Sequence, residues 1–194
     1  MHKAFWYLSR TMAFIGGVVL TALILMTCVS ILGRQLNSFF KSDFAQSIFP
    51  GFADGMIALG VAPVLGDVEL VESGMAFAIF AFLPLCQISG AHAKVDIFTS
   101  RLPERSNRAL QFVIDVVFAA ALMLLAWRLS IGLQEKQQYS ETTFMLQFPI
   151  WWAYGASLIA ACVAAFVGVY VALVRGAEMF AGRDILPSGE GQGT

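Results

Sequence analysis

The chain is predicted to be an all-α integral membrane protein, with four transmembrane helices and short amphipathic, interfacial helical segments between the first two. Three observations carry that prediction. Hydrophobic residues make up 58% of the 194, above the roughly 45–50% apolar share of soluble domains, and the mean hydropathy is +0.74. Only 13% of residues are charged, and they cluster between long uncharged runs. Each run approaches the roughly 20 residues that cross about 30 Å of hydrocarbon at about 1.5 Å per residue. A chain of this length makes one membrane domain, 1–194, with approximate spans at 11–33, 72–91, 109–133 and 148–174.

The first span follows His2, Lys3 and Arg10 and is uncharged over 12–32. It is longer than the apolar core of a signal peptide and no A-x-A-like cleavage site follows, so it is expected to stay as a spanning helix. Ala13, Gly17 and Thr21 place small groups four apart, a spacing that admits a close neighbour.

Residues 34–71 form a periplasmic or interfacial segment. Phe44, Ile48, Phe52 and Met56 recur at every fourth position, as on one helix face. Pro50 and Gly51 interrupt that pattern, and Gly60, Pro63 and Gly66 break up the rest of the segment. Two readings stay open: short amphipathic helices in the interface, or a packed loop.

The second span organises the chain. Residues 65–96 read LGDVELVESGMAFAIFAFLPLCQISGAHAKVD. Acids at Asp67, Glu69 and Glu72 lead into an uncharged run over 73–91, which ends at His92 and Lys94. Acids before a helix and bases after it complement the macrodipole. Asp67 is the expected N-cap, its side-chain oxygen accepting an orphan backbone N–H. Pro84 predicts a kink, and Gln87, costly against lipid, is expected to face protein.

A basic loop comes next, with Lys94, Arg101, Arg105 and Arg108, and Pro103 placed to begin the third helix. That helix carries Asp115 and Arg128, separated by twelve uncharged residues, or about 18 Å of helix. Each charge therefore lies near one membrane face. Arg128 can snorkel outward; Asp115 needs a partner or water, as a structural contact or as part of a proton relay.

Residues 134–147 read as a polar loop. The fourth helix opens with Pro149, Trp151, Trp152 and Tyr154, an aromatic belt at a water–lipid boundary. Ala156, Ala160, Ala164, Gly168 and Ala172 then form a small-residue stripe, expected at a helix–helix seam within this chain or against another. The tail, 175–194, is polar and Gly-rich and is expected to fray.

Basic residues set the expected topology. With both termini in the cytoplasm, the inner segments hold Lys3, Arg10, Lys94, Arg101, Arg105, Arg108, Arg175 and Arg183, and the outer ones only Arg34, Lys41 and Lys136.

Little in the chain points to chemistry. The net charge of −1 argues against nucleic acid. Cys28, Cys86 and Cys162 stand singly in apolar runs, with no C-x-x-C pair. His92 and Asp96, four apart, could share a helix face toward a metal, or simply order a loop. Two ligands are not a metal site. No nucleophile–base pair or phosphate-binding loop is present, and no intramembrane acid cluster. No enzyme activity and no cofactor are expected. A self-sufficient four-helix transporter or exporter is the alternative, but it needs an intramembrane coupling acid and, in dual-topology forms, a weak basic bias. A redox or metal enzyme fails on its cysteines and histidines.

The ELVE run, FLPLCQISGAHAKVDIFTSRLP and the downstream SETTFMLQFPIWWAYGASLIA resemble the small membrane subunit of TRAP transporters, the DctQ type. The likeness extends from Arg34 through the fourth helix. Glu69-Leu70 resembles the family's acidic-Leu start of the second helix. Gly90, His92, Val95 and Asp96 resemble its end, and Glu141, Thr142 and Thr143 with Pro149 resemble the last outer loop. The resemblance implies import of an organic acid, typically a carboxylate, driven by a sodium gradient and fed by a periplasmic substrate-binding protein. Substrate and sodium sites would belong to the large membrane subunit, in the bacterial inner membrane. This chain would widen the fixed scaffold and help dock the binding protein, with Asp67, Glu69, Glu72, Glu135 and Glu141 either forming a docking face or merely solvating loops and capping a helix.

Overall fold

The computed structural model describes residues 2–42, 47, 50–58, 60, 62–90 and 104–181. Five helices cover most of them: α1 (His2–Phe40), α2 (Pro50–Ala58), α3 (Asp67–Ser89), α4 (Glu104–Gln138) and α5 (Trp151–Ala181). Among the described residues there is no strand, and four helices (α1, α3, α4 and α5) are long and apolar enough to cross a membrane. The fold is all-α, as the composition predicts.

Every long helix outruns its apolar run, because backbone hydrogen bonding continues into polar sequence that membrane thickness does not limit. α1 continues to Phe40, α3 starts at Asp67 instead of 72, and α4 runs to Gln138, through residues expected in a loop. α5 begins at Trp151, after the expected 148. The expected frayed tail is wrong for 175–181: α5 carries through Arg175 to Ala181.

Asp67 is not the N-cap. Gly66 occupies that position with φ 73° and ψ 16°, and Asp67 is the first helical residue. A Cβ at Gly66 would collide with the Leu146 side chain, so the left-handed turn and the close contact both call for glycine. At the other end of α3, Gly90 takes the left-handed cap with φ 61°, its N–H turned back to the carbonyls of Cys86 and Gln87.

Pro50 and Gly51 begin α2 rather than interrupt it. Proline suits the first turn because its missing N–H would have no partner there. Phe52 packs edge-on against Phe40 at 5.9 Å, tying α2 to the end of α1. Phe44 and Ile48 lie outside the described residues.

The spanning helices stand in the order α1, α3, α5, α4, each packed on the next. Half of the α5 span is buried, against 11% for α1, so α5 is the core helix. One side of it places Val167 and Val171 on Ile88 of α3. Another places Ala164 and Ala165 on Leu122 of α4. Phe5 of α1 stacks on Tyr170 at 3.9 Å, joining α1 to α5 toward the end of the bundle where α1 begins and α5 finishes.

Close approaches are made by small residues. The stripe on α5 is a seam within this chain: Ala160 and Ala164 are 0% exposed, and a Cβ on Gly168 would lie 3.3 Å from Leu122 Cδ1. On α1 the contact falls on Gly16, not Gly17. A Cβ at Gly16 would lie 2.9 Å from Ala81 Cβ, whereas one at Gly17 would only touch Phe82 at 4.0 Å. Thr21 is exposed and returns its hydroxyl to its own helix, at Gly17 O. A period of four drifts around a 3.6-residue turn, so the buried line is Ser9, Ala13, Gly16 and, further along, Ser30.

Candidate functional site

The polar residues converge at the end of the bundle where α3 and α5 begin and α1 and α4 finish. Asp67 reaches across to α1. Ser30 donates its hydroxyl to Asp67 Oδ2 at 2.6 Å, and Arg34 reaches the same oxygen at 3.2 Å. Ser30 Oγ also accepts the Val64 N–H at 3.2 Å, and Asp67 Oδ1 accepts from Val68 N–H at 2.9 Å. Gly33 brings α1 against the carbonyl of Ala62 so closely that a side chain there would clash. The linker and two helices are thus knotted at one carboxylate.

Glu69 holds the loop between α4 and α5. Met145 N–H donates to Oε1 at 2.7 Å and Leu146 N–H to Oε2 at 3.0 Å. Hydrogen bonds to an ionised acceptor are roughly twice as strong as neutral ones. The loop also braces itself. Thr143 N–H donates to Phe148 O, Ile150 N–H to Glu141 O, and Phe148 N–H to the Thr143 hydroxyl. Lys136 pairs with Glu141 at 2.6 Å, and Pro149 sits opposite Thr142 in an isolated antiparallel bridge. The loop presents Phe144, 91% exposed, at its tip. Trp151 and Trp152 follow at the start of α5, both exposed, and Tyr154 packs over Gly132 of α4.

Under the loop lies a cavity of about 430 Å³ between α3, α4 and α5. Glu69, Glu72, Ser73, Thr142, Thr143, Tyr154 and Ser157 are its polar wall, and Leu129 and Ile150 are part of its apolar one. Among the described residues no Lys, Arg or His lines it. Glu72 is exposed, while Ser157 is 2% exposed and its hydroxyl makes no hydrogen bond.

At the opposite end a second polar cluster joins α4 to α5. Arg175 lies 3.5 Å from Asp115, 3.7 Å from Glu178 and 3.1 Å from Gln111 Oε1. Asp115 and Arg175 side chains are each 13% exposed and Glu178 5%. Asp115 thus has the partner its short side chain requires. Reading Arg175 as the first residue of a frayed tail hid this cluster. Its signal was the Arg175–Glu178 pair at i and i+3, a spacing that continues the helix.

Other expected positions are scattered. Gln87 is buried at 2% exposure in α3. Arg128 is exposed and lies over the Trp127 ring at 5.5 Å. Ala156 is half-buried above the α5 seam. His92 and Asp96 lie outside the described residues. Among the described residues no three His, Cys, Asp or Glu side chains gather where they could hold a metal ion.

Apolar helices of spanning length, packed by small residues and clamped at one end by carboxylates, define a multi-pass membrane protein. The chain belongs to the DctQ component family of tripartite ATP-independent periplasmic transporters, whose family model matches residues 23–179. This is a family of transporter components and not of enzymes. Comparison with curated proteins and with solved structures returns no match.

Proposed function

We propose that this chain is the non-transporting scaffold of its TRAP system, which imports an organic acid with a sodium gradient. Substrate and sodium sites belong to the large membrane subunit, and a periplasmic binding protein delivers the substrate. The family match over 23–179 carries this reading. Two features support the scaffold role. The small-residue stripe around Ala160, Ala164 and Gly168 is buried as a seam within the chain itself. The cavity at the loop end is walled by two carboxylates and, among the described residues, no base, an arrangement unsuited to holding a carboxylate substrate.

In the proposed orientation both termini are cytoplasmic, the membrane is the bacterial inner membrane, and the clamped loop faces the periplasm. The excess of basic residues at the terminal end supports it. Docking of the binding protein would then use the loop end. Asp67, Glu69 and Glu141 are occupied there by Arg34, loop amides and Lys136. Glu72 and Glu135 are the exposed acids left to meet a partner's charge.

Complex formation tests the scaffold reading. A tagged copy of this chain, co-expressed with the large membrane subunit of its own system, should retain that subunit in equal amount through detergent purification. Recovery of the large subunit with an untagged control, or none with the tag, would refute it.

A further inference from the structure

We propose that the outward face of α4 is a docking seam for a helix of the large membrane subunit, and that Arg128 meets a carboxylate of that helix. Such docking presupposes the assembly proposed above and gives it a contact face. On α4 the residues Ala119, Leu122 and Ala126 are buried, the first two against α5. At about 100° per residue, the opposite side carries Leu110, Ile114, Val117, Ala121, Leu124 and Arg128, all of them exposed. They recur at alternating steps of four and three, the spacing with which one helix lies along another. An apolar stripe with that spacing would also suit lipid. The charge at its end decides between the two.

Arg128 lies within the spanning part of α4. Gly132 is level with Tyr154 of α5, so about 9 Å of helix separates Arg128 from the level of Trp152 in the aromatic belt. Among the described residues no carboxylate lies within ion-pair reach of Arg128. It rests over the ring of Trp127, 5.5 Å from the centroid, a contact that offsets only part of a buried charge. Reaching the water at the loop end would oppose helix geometry, because α4 runs toward that end and helical side chains lean back toward the N-terminus. On the side of that lean stand Leu124 and Leu125, 55% and 45% exposed. A guanidinium in such surroundings is costly unless an acid meets it.

A carboxylate on a neighbouring helix meets each of these conditions. It accepts two guanidinium N–H bonds side by side, and one charged residue in an otherwise apolar seam fixes the register of the two helices. Ala121, two turns from Arg128, is small enough to let the backbones approach. Lipid phosphate is the rival anion, but headgroups lie where the tryptophans stand, beyond the depth of Arg128.

Photo-cross-linking in membranes tests the face. A benzophenone amino acid at Val117 of the tagged full chain, co-expressed with the large subunit of its own system, should give a product joining the two subunits. The peptide it marks should carry an Asp or Glu. Arg128→Leu should cut recovery of the large subunit about tenfold or more, because it strands that acid in apolar surroundings. The Arg128→Leu chain alone should unfold at the wild-type temperature or above, since the side chain it loses is exposed. Arg128→Lys should keep most of the recovery, and Arg128→Glu with that acid changed to Arg should restore it. Full recovery with Arg128→Leu, or cross-links from Val117 to phospholipid alone, would overturn the proposal and leave α4 facing lipid. Failure of the wild-type chain to recover the large subunit would instead refute the scaffold reading.

Discussion

At Gly16 a single hydrogen atom is all the space α3 leaves. Replacing helical glycine by alanine ordinarily gains about 1 kcal/mol of helix propensity. At Gly16 the added methyl would lie 2.9 Å from Ala81 Cβ, and overpacking of this kind costs about 1–3 kcal/mol. Gly16→Ala should therefore lower the midpoint of thermal unfolding in detergent. Gly17→Ala, with 4.0 Å to its nearest neighbour, should hold or raise it. An equal response from the two variants would place the α1 seam elsewhere. Glu69 makes the second residue-scale case. In Glu69→Ala the amides of Met145 and Leu146 lose their acceptors, and their hydrogen exchange should quicken severalfold while α5 stays protected. Unchanged exchange at those two amides would show that the loop holds itself.

The contact between α4 and α5 turns on Arg175. Its side chain and those of Asp115 and Glu178 are largely withdrawn from solvent, and removing one partner of a buried pair costs about 3–5 kcal/mol. Arg175→Met should destabilise by that order, and Asp115→Asn in the same background should recover part of it. A double-mutant cycle by thermal unfolding measures the coupling; zero coupling would make the pair incidental. Elements of this kind show where sequence reading ends. The spans were legible because apolar runs and membrane thickness set them. The α5 seam was legible because small residues at Ala160, Ala164 and Gly168 repeat on one face. The Arg175 cluster was not, since helix hydrogen bonding runs past the apolar run and the partners lie 60 residues apart in sequence. Glu69 stood out as an acid before a helix, yet its task is set by loop amides 76 and 77 residues away. Gly16 and Gly17 are adjacent, and only the rotation of α1 against α3 chooses between them.

Across the whole molecule, helices in the order α1, α3, α5, α4 leave α1 and α4 as the outer faces of the bundle. Phe14, Val18 and Leu25 on α1, and Val117, Leu124 and Trp127 on α4, are more than half exposed. Lipid and the large membrane subunit would share these faces in the proposed assembly. Orientation is tested first, because the docking role proposed for the loop end depends on it. With Cys28, Cys86 and Cys162 replaced, a cysteine at Gln138 should react with an impermeant maleimide in intact cells. Reaction only after the cells are opened would invert the bundle.

The most direct measurement of the central claim is substrate uptake by reconstituted proteoliposomes. The large membrane subunit, the binding protein and an inward sodium gradient would be supplied with and without this chain. Uptake should require the chain, and the chain alone should neither bind nor move the substrate. Full uptake in its absence, or uptake by this chain alone, would contradict the account.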